Sequence, residues 1–198
     1  MITEQEVLQM LTESGAISKG HFILSSGRHA EMYVQCARVL EDPRRAEILG
    51  KALAICVKEK VDRVISPILG GILIGHEVAR ALDRPFLFPE RGSNGEFCLR
   101  RGFTLNPQER VLIVEDVVTT GQTTEEILAL LADNETQPVG LVAIVDRSSS
   151  HVVEGMSVQS LIQLDFSNYS PEECPLCAKG ISAHRPGSRA KEVQAQLS

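Results

Sequence analysis

Val111-Leu112-Ile113-Val114-Glu115-Asp116-Val117-Val118-Thr119-Thr120-Gly121-Gln122-Thr123-Thr124 is the stretch whose reading decides the fold. Apolar residues, mostly β-branched, run into two adjacent carboxylates and then into a turn rich in hydroxyls. An apolar run without polar alternation predicts a strand buried on both faces, as in a parallel sheet. From Thr124 to Leu131, acidic residues in the first turn and apolar spacing predict a helix. A strand–turn–helix unit aims free backbone N–H groups and the positive end of the helix dipole at one small volume. Gly121 is expected to let the backbone close on an anion, and the threonines add hydroxyl donors. Val117, Val118, Thr119, Thr120, Gly121, Gln122 and Thr123 therefore read as a phosphate cradle.

Sites built for nucleoside triphosphates carry a lysine in the turn, and this turn has none. Glu115 and Asp116 fall at the carboxyl end of the strand, where ligands of open α/β sheets bind. There both would accept hydrogen bonds from sugar hydroxyls while the turn holds a phosphate of the same sugar. The expected ligand is a ribose phosphate; the bland alternative is a helix-capping loop with no ligand. From Val111 to Thr123 the chain resembles, position by position, the phosphoribosyl-diphosphate (PRPP) motif of type I phosphoribosyltransferases. The resemblance implies an α/β fold: a parallel sheet flanked by helices, with a small N-terminal hood.

The base acceptor must be read elsewhere. Gly20-His21-Phe22-Ile23-Leu24-Ser25-Ser26-Gly27-Arg28-His29, followed by Tyr33, resembles the opening signature of orotate phosphoribosyltransferases. Physically it is a turn at Ser25-Ser26-Gly27 beside a short strand in which Phe22 and Leu24 alternate. Without the resemblance it would be an ordinary hairpin over the core. Val142-Ala143-Ile144-Val145-Asp146-Arg147 is a buried strand ending in Asp-Arg. The resemblance makes Arg147, Thr119, Phe22 and Ser26 the orotate contacts. It runs from about Ser14 to Gly187 and is nearest to a shorter subgroup ending in Cys-Pro-Leu-Cys and Pro-Gly-Ser-Arg.

Two further loops carry charge or glycine. In Pro67-Ile68-Leu69-Gly70-Gly71, adjacent residues without Cβ let amides point at an anion. The resemblance assigns Leu69, Gly70 and Gly71 to the pyrophosphate group, often through a strained backbone. Pro89 to Gly102 occupies the place of the family's mobile catalytic loop and departs from it, with no lysine or histidine between Phe88 and Leu105. Ser25 also stands where relatives often place a lysine. Arg91 and Arg100 are the expected PRPP contacts and Arg101 the expected catalytic cation. The plain alternative is a solvated hairpin face around Ser93-Asn94-Gly95-Glu96.

The resemblance implies transfer of ribose 5-phosphate from PRPP to N1 of orotate, giving orotidine 5′-phosphate and pyrophosphate on the way to UMP. Glu115 and Asp116 would hold the ribose and stabilise its cationic transition state. Mg²⁺ would come mainly with PRPP rather than on protein ligands. Orotate N1 is acidic enough that no dedicated base is named. Relatives commonly work as homodimers. A purine or other base transferase is the alternative within enzymes; a PRPP-responsive regulator without transferase activity is the alternative outside them.

Bulk properties agree with one domain. A chain of 198 residues suffices for a single α/β core. Residues 1–40 read as a helix and the hood, 41–165 as the core, and 166–198 as an extension with a polar tail. Helices are expected where Val7, Leu8, Met10 and Leu11 recur at helical spacing, ending near Gly15, from Pro43, and from Ile72 to Leu82, with strands at 62–66 and 86–89. A net charge of −6 argues against a general nucleic-acid binder. No apolar run approaches the roughly 20 residues of a membrane span, and the acidic start is unlike a signal peptide. Five cysteines point to a reducing compartment, by default the cytoplasm. Cys174-Pro175-Leu176-Cys177 has the spacing of half a zinc site. With no second pair and His184 seven residues on, two free thiols are the favoured reading. A zinc shared between subunits and a redox-labile pair are the alternatives.

Overall fold

The structure, a computed structural model, describes residues 2–24 and 26–186. The elements in chain order are α1 (Glu4–Glu13), β1 (Ile17–Ile23), β2 (His29–Val34), α2 (Ala37–Leu40), α3 (Pro43–Cys56) and β3 (Arg63–Ile65). Then follow α4 (Gly71–Leu82), β4 (Phe86–Leu87), β5 (Glu90–Arg91), β6 (Phe97–Cys98), β7 (Arg110–Val118) and α5 (Gln122–Asp133). The chain continues through β8 (Gln137–Asp146), β9 (Val152–Val153), β10 (Met156–Gln163), β11 (Asn168–Tyr169) and α6 (Pro175–Ala178).

The apolar run at 111–118 becomes β7, in the interior of a six-stranded sheet of order β4-β3-β7-β8-β10-β9. Its first five strands are parallel, and β9 closes the edge antiparallel. Alternation along β7 divides its side chains between two cores. Leu112 and Val114 pack with Leu49, Leu53, Ile74 and Val78 of α3 and α4. Val111 and Ile113 pack with Ile127 and Leu131 of α5. Because both faces are covered, the four residues from Val111 to Val114 between Arg110 and Glu115 are all apolar and fully buried. That is why the strand reads as unbroken apolar sequence.

Local chemistry sets the helix starts. Thr3 caps α1 by accepting from the Glu6 N–H while the Glu6 carboxylate accepts from the Thr3 N–H, a capping box. Asp42 caps α3, with Pro43 in the first turn where its missing N–H costs nothing. The strand expected at 86–89 is only two residues long, and no helix follows it. After β4 the chain makes the β5–β6 hairpin instead, because Pro89, Gly92 and Gly95 interrupt any helix there.

The hood is a three-stranded antiparallel sheet of order β1-β2-β11. Its third strand comes from the segment that the sequence reading set apart as an extension. A further backbone pairing runs from Ile23 N–H to His184 O and from His184 N–H to His21 O. The hood is thus built from both ends of the chain. β9, β10 and β11 were not anticipated; β10 is only eight residues long and carries four polar residues, Ser157, Gln159, Ser160 and Gln163. Ser25 and the tail from Gly187 onward lie outside the described residues.

Candidate active site

The two carboxylates that end β7 point to opposite faces of the sheet, as the strand period requires. Glu115 falls on the α5 side. It is 4% exposed and accepts a hydrogen bond from the Thr124 hydroxyl at 3.0 Å. Asp116 falls on the α4 side, so close to Gly70 that a Cβ on that glycine would stand 2.6 Å from a carboxylate oxygen. Burial first, then the neighbouring Asp116 charge, pushes Glu115 up to about 8, with the Thr124 hydroxyl opposing. Burial also raises Asp116, against the backbone N–H of Val117, which favours its charge. Close carboxylates cannot both ionise cheaply. With its pKa at about 8, Glu115 keeps its proton near neutral pH, and a charge on Asp116 opposes its loss.

The fold places the two carboxylates differently, and Asp116 is the one beside Gly70. The Glu115 proton also gives a pH test. The unfolded chain releases the Glu115 proton in the ordinary carboxylate range, whereas the folded chain holds it to about 8. Stability must therefore fall as pH rises through that window and level off above it. Glu115→Gln cannot titrate and still meets Thr124. Its stability relative to wild type, followed by urea unfolding, should rise between about pH 5 and pH 8. Parallel pH slopes in the two proteins would show that Glu115 is ionised throughout.

Glu115 and residues 117–124 line a small hollow at the start of α5, where the first N–H groups of the helix lack intrahelical partners. Thr119 and Thr120 are exposed there. The Thr120 hydroxyl accepts from the Gln122 N–H at 3.4 Å, and Thr123 is half-buried. Thr124 turns inward to Glu115 instead of offering its hydroxyl to an anion. Gly121 is also required on steric grounds. Its φ is +84°, and a Cβ would meet Val153 at 2.7 Å. Its open side faces β9.

Leu69, Gly70 and Gly71 lead into α4, and the Ile68–Leu69 peptide is cis. The three loop arginines, equivalent in sequence, differ in the fold. Arg91 is paired with Glu126 of α5 at 2.5 Å and lies 4.3 Å from the Phe97 ring centroid. Arg101 holds both carboxylate oxygens of Glu90, at 2.7 and 3.3 Å, and has a φ of +57°. Arg100 is exposed and has no ion pair among the described residues. The assignment of catalytic charge to Arg101 is thus not the one this geometry favours, since its guanidinium is already engaged.

Arg147 follows β8, and its N–H donates to Val118 O at 2.8 Å, which ties it to the end of β7. Its guanidinium lies 4.7 Å from the Phe166 ring centroid, and its buried Nε has no hydrogen-bond partner among the described residues. Burial lowers its pKa, with Asp165 and Tyr33 opposing. Tyr33, on β2, is half-buried and is raised by burial and then by Asp116, with Arg147 opposing. It feels both the sugar carboxylate and the base-side cation. Its ring lies 5.7 Å from that of Phe22 on β1, while Ser26 is exposed at the hairpin turn. Tyr33 and Phe166 thus stand beside Arg147, and neither was among the candidate contacts drawn from the sequence. Asp146 orders the next loop. It accepts from the Ser148 N–H and hydroxyl at 2.8 and 2.7 Å, and meets His151 Nδ1 at 2.5 Å. An Asp followed two residues later by Ser is a legible turn signal.

Cys174 and Cys177 are free thiols, the favoured reading of the sequence, and His21 and His29 lie against them. His184 is instead held in backbone pairing with β1.

Residues 36–175 match the model of the phosphoribosyl transferase domain. The chain is 45% identical over 184 residues to the orotate phosphoribosyltransferase of Thermotoga maritima, covering 92% of this chain and 98% of that one. The chain belongs to the orotate phosphoribosyltransferase family. The family enzyme of Novosphingobium aromaticivorans is 45% identical over 192 residues, 95% of this chain and 98% of its own. Among solved structures, the orotate phosphoribosyltransferase of Aeropyrum pernix superposes with a TM-score of 0.65 at 24% identity. That match covers 79% of this chain and 93% of that one, and shows the shared fold. Among the described residues no helix is long and apolar enough to cross a membrane.

Proposed function

We propose that this chain transfers the ribose 5-phosphate group from PRPP to N1 of orotate, releasing pyrophosphate and giving orotidine 5′-phosphate for UMP synthesis. Family membership supports the reaction. One observation carries the base: the half-buried Arg147 guanidinium, with an unpartnered Nε, between the hood and the phosphate turn. An anionic, planar acceptor rich in carbonyl oxygens satisfies such a donor; a neutral purine does so less well. In the direct assay, purified protein with PRPP and Mg²⁺ consumes orotate, read by ultraviolet absorbance. PRPP binding without orotate loss would indicate the regulator instead.

The turn at 117–123 holds the 5′-phosphate on backbone N–H groups and the Thr119 and Thr120 hydroxyls. Asp116 accepts from the ribose hydroxyls and faces the cationic sugar of the transition state. Leu69, Gly70 and Gly71 offer backbone to the departing pyrophosphate, with Arg100 as its free cation; Arg91 reaches it only by leaving Glu126. Arg147, Thr119, Phe22 and Ser26 border the orotate, and Tyr33 joins them. Catalysis in this arrangement is positioning and electrostatics.

Magnesium fits as a passenger of PRPP. Of the two strand-end carboxylates, Glu115 is spent on Thr124, so Asp116 alone is available to it. Few protein ligands with substrate phosphates is the ordinary pattern for this ion. When bound it neutralises charge on the diphosphate.

Arg100→Ala is expected to lower kcat about two- to fivefold at saturating substrates, the modest effect of a solvent-screened charge. Arg101→Ala should lower it less, because Arg101 acts through Glu90 to hold the hairpin. The reverse order would return Arg101 to the chemistry.

A homodimer is the assembly this reading favours. Leu69 and Leu73, four residues apart at the start of α4, are 75% and 50% exposed, and apolar side chains beside a cleft are natural interface material. Sedimentation velocity reads the mass directly. All five cysteines are free, which supports a reducing compartment such as the cytoplasm.

A further inference from the structure

On the outer side of the hood, four side chains from three segments converge. His21 lies on β1, His29 opens β2, and Cys174 and Cys177 flank the first turn of α6. One ligand atom from each lies within 4.8 Å of all the others. The register explains the histidines. Ile23 pairs with His29 across the hairpin, so His21, two residues earlier, is the diagonal neighbour on the same face. The Cys-x-x-Cys spacing across a tight helical turn brings both sulfurs to one side.

We propose that His21, His29, Cys174 and Cys177 form a structural zinc site that fastens the C-terminal segment to the hood.

The distances suit that ion. Zinc bonds of about 2.0–2.1 Å to nitrogen and about 2.3 Å to sulfur, at tetrahedral angles, place donors roughly 3.3–3.8 Å apart. Cys174 Sγ is 3.4 Å from His21 Nε2, Cys177 Sγ is 3.8 Å from it, and Cys177 Sγ is 3.3 Å from His29 Nδ1. The two ring nitrogens, at 2.8 Å, open by about half an ångström around a zinc ion of that geometry, a small tilt of either ring.

The surroundings of His21 choose the correct nitrogen. Its Nδ1 meets the Ile181 carbonyl oxygen at 2.7 Å. A carbonyl only accepts, so Nδ1 carries the proton and Nε2 turns its lone pair to the cluster. An outer hydrogen bond that orients the ring is the usual support of a metal-ligating histidine.

Charge and burial agree as well. His21, His29 and Cys174 are 2%, 7% and 2% exposed, with Cys177 at the rim. Binding Zn²⁺ releases one proton from each thiol, and two thiolates with two neutral imidazoles leave the centre uncharged. Two nitrogens and two sulfurs in a tetrahedral set favour zinc over hard cations such as Mg²⁺. The hood has little apolar interior of its own, and small sheets of that kind commonly need a staple. His21 adjoins Phe22, so the staple also fixes the strand that covers the base.

The test uses the full chain. Metal analysis of protein made with ample zinc should find one zinc per chain, and Cys177→Ser, at an exposed position, should lose it. Cobalt(II) added to the metal-stripped, reduced wild type should give thiolate-to-cobalt charge-transfer absorption and the intense visible bands of a tetrahedral ion. This second measurement needs no variant to fold. The site is overturned if cobalt gives only the weak bands of the six-coordinate aqueous ion. It is equally overturned if saturating zinc leaves both thiols as reactive toward an aromatic disulfide as before.

Discussion

Asp116→Asn is expected to lower kcat at least about tenfold while leaving the unfolding midpoint near that of wild type. Asparagine keeps the shape and one acceptor oxygen, so the ribose hydroxyls can still be met and Gly70 is still cleared. What disappears is the negative charge opposite a sugar that becomes cationic. A pair of opposite charges about 4 Å apart at an effective dielectric near 20 is worth about 4 kcal/mol. Realising about a third of that only in the transition state is already a factor of ten. The partition of the effect decides the role. A fall in kcat with PRPP affinity largely kept places Asp116 at the reacting sugar. A rise in KM for PRPP alone would make it a binding group, and unchanged kinetics would remove it from the mechanism. Glu115→Gln is the control, since its carboxyl already holds a proton near neutral pH.

Arg147→Ala is expected to weaken orotate by about one to two decades and PRPP far less. A charge-assisted hydrogen bond contributes roughly 1.5–3 kcal/mol. The buried Nε lacks a partner among the described residues, so none of their hydrogen bonds must break before orotate is met. Titration with each ligand separately reads the difference. Equal loss for both would mean that the substitution disturbs the β7–β8 junction, where the Arg147 N–H bonds Val118 O.

The phosphate half of this cleft was legible because it is local. Strand, turn and helix follow one another within residues 111–131, and each signal lies in the period of its own element. The fold class, and the helices at 4–13, 43–56 and 71–82, followed in the same way. What sequence could not separate were groups that only the fold distinguishes. Glu115 and Asp116 are chemically near-twins until strand alternation sends them to different faces. Arg91, Arg100 and Arg101 are interchangeable until Glu126 and Glu90 claim two of them. The pairing of β11 with β2, and of Cys174 with His21, joins residues about 140 to 150 positions apart, and no local pattern encodes such distances.

The hood's dependence on both ends of the chain has a consequence during synthesis. As the polypeptide leaves the ribosome, β1 and β2 appear first but must wait for β11 and the segment around His184, which appear last. The phosphate cradle is complete once β8 has been made. A nascent or prematurely terminated chain ending before residue 168 therefore carries a nearly finished grip for PRPP under an open roof. Discrimination of the base is the last property this enzyme acquires.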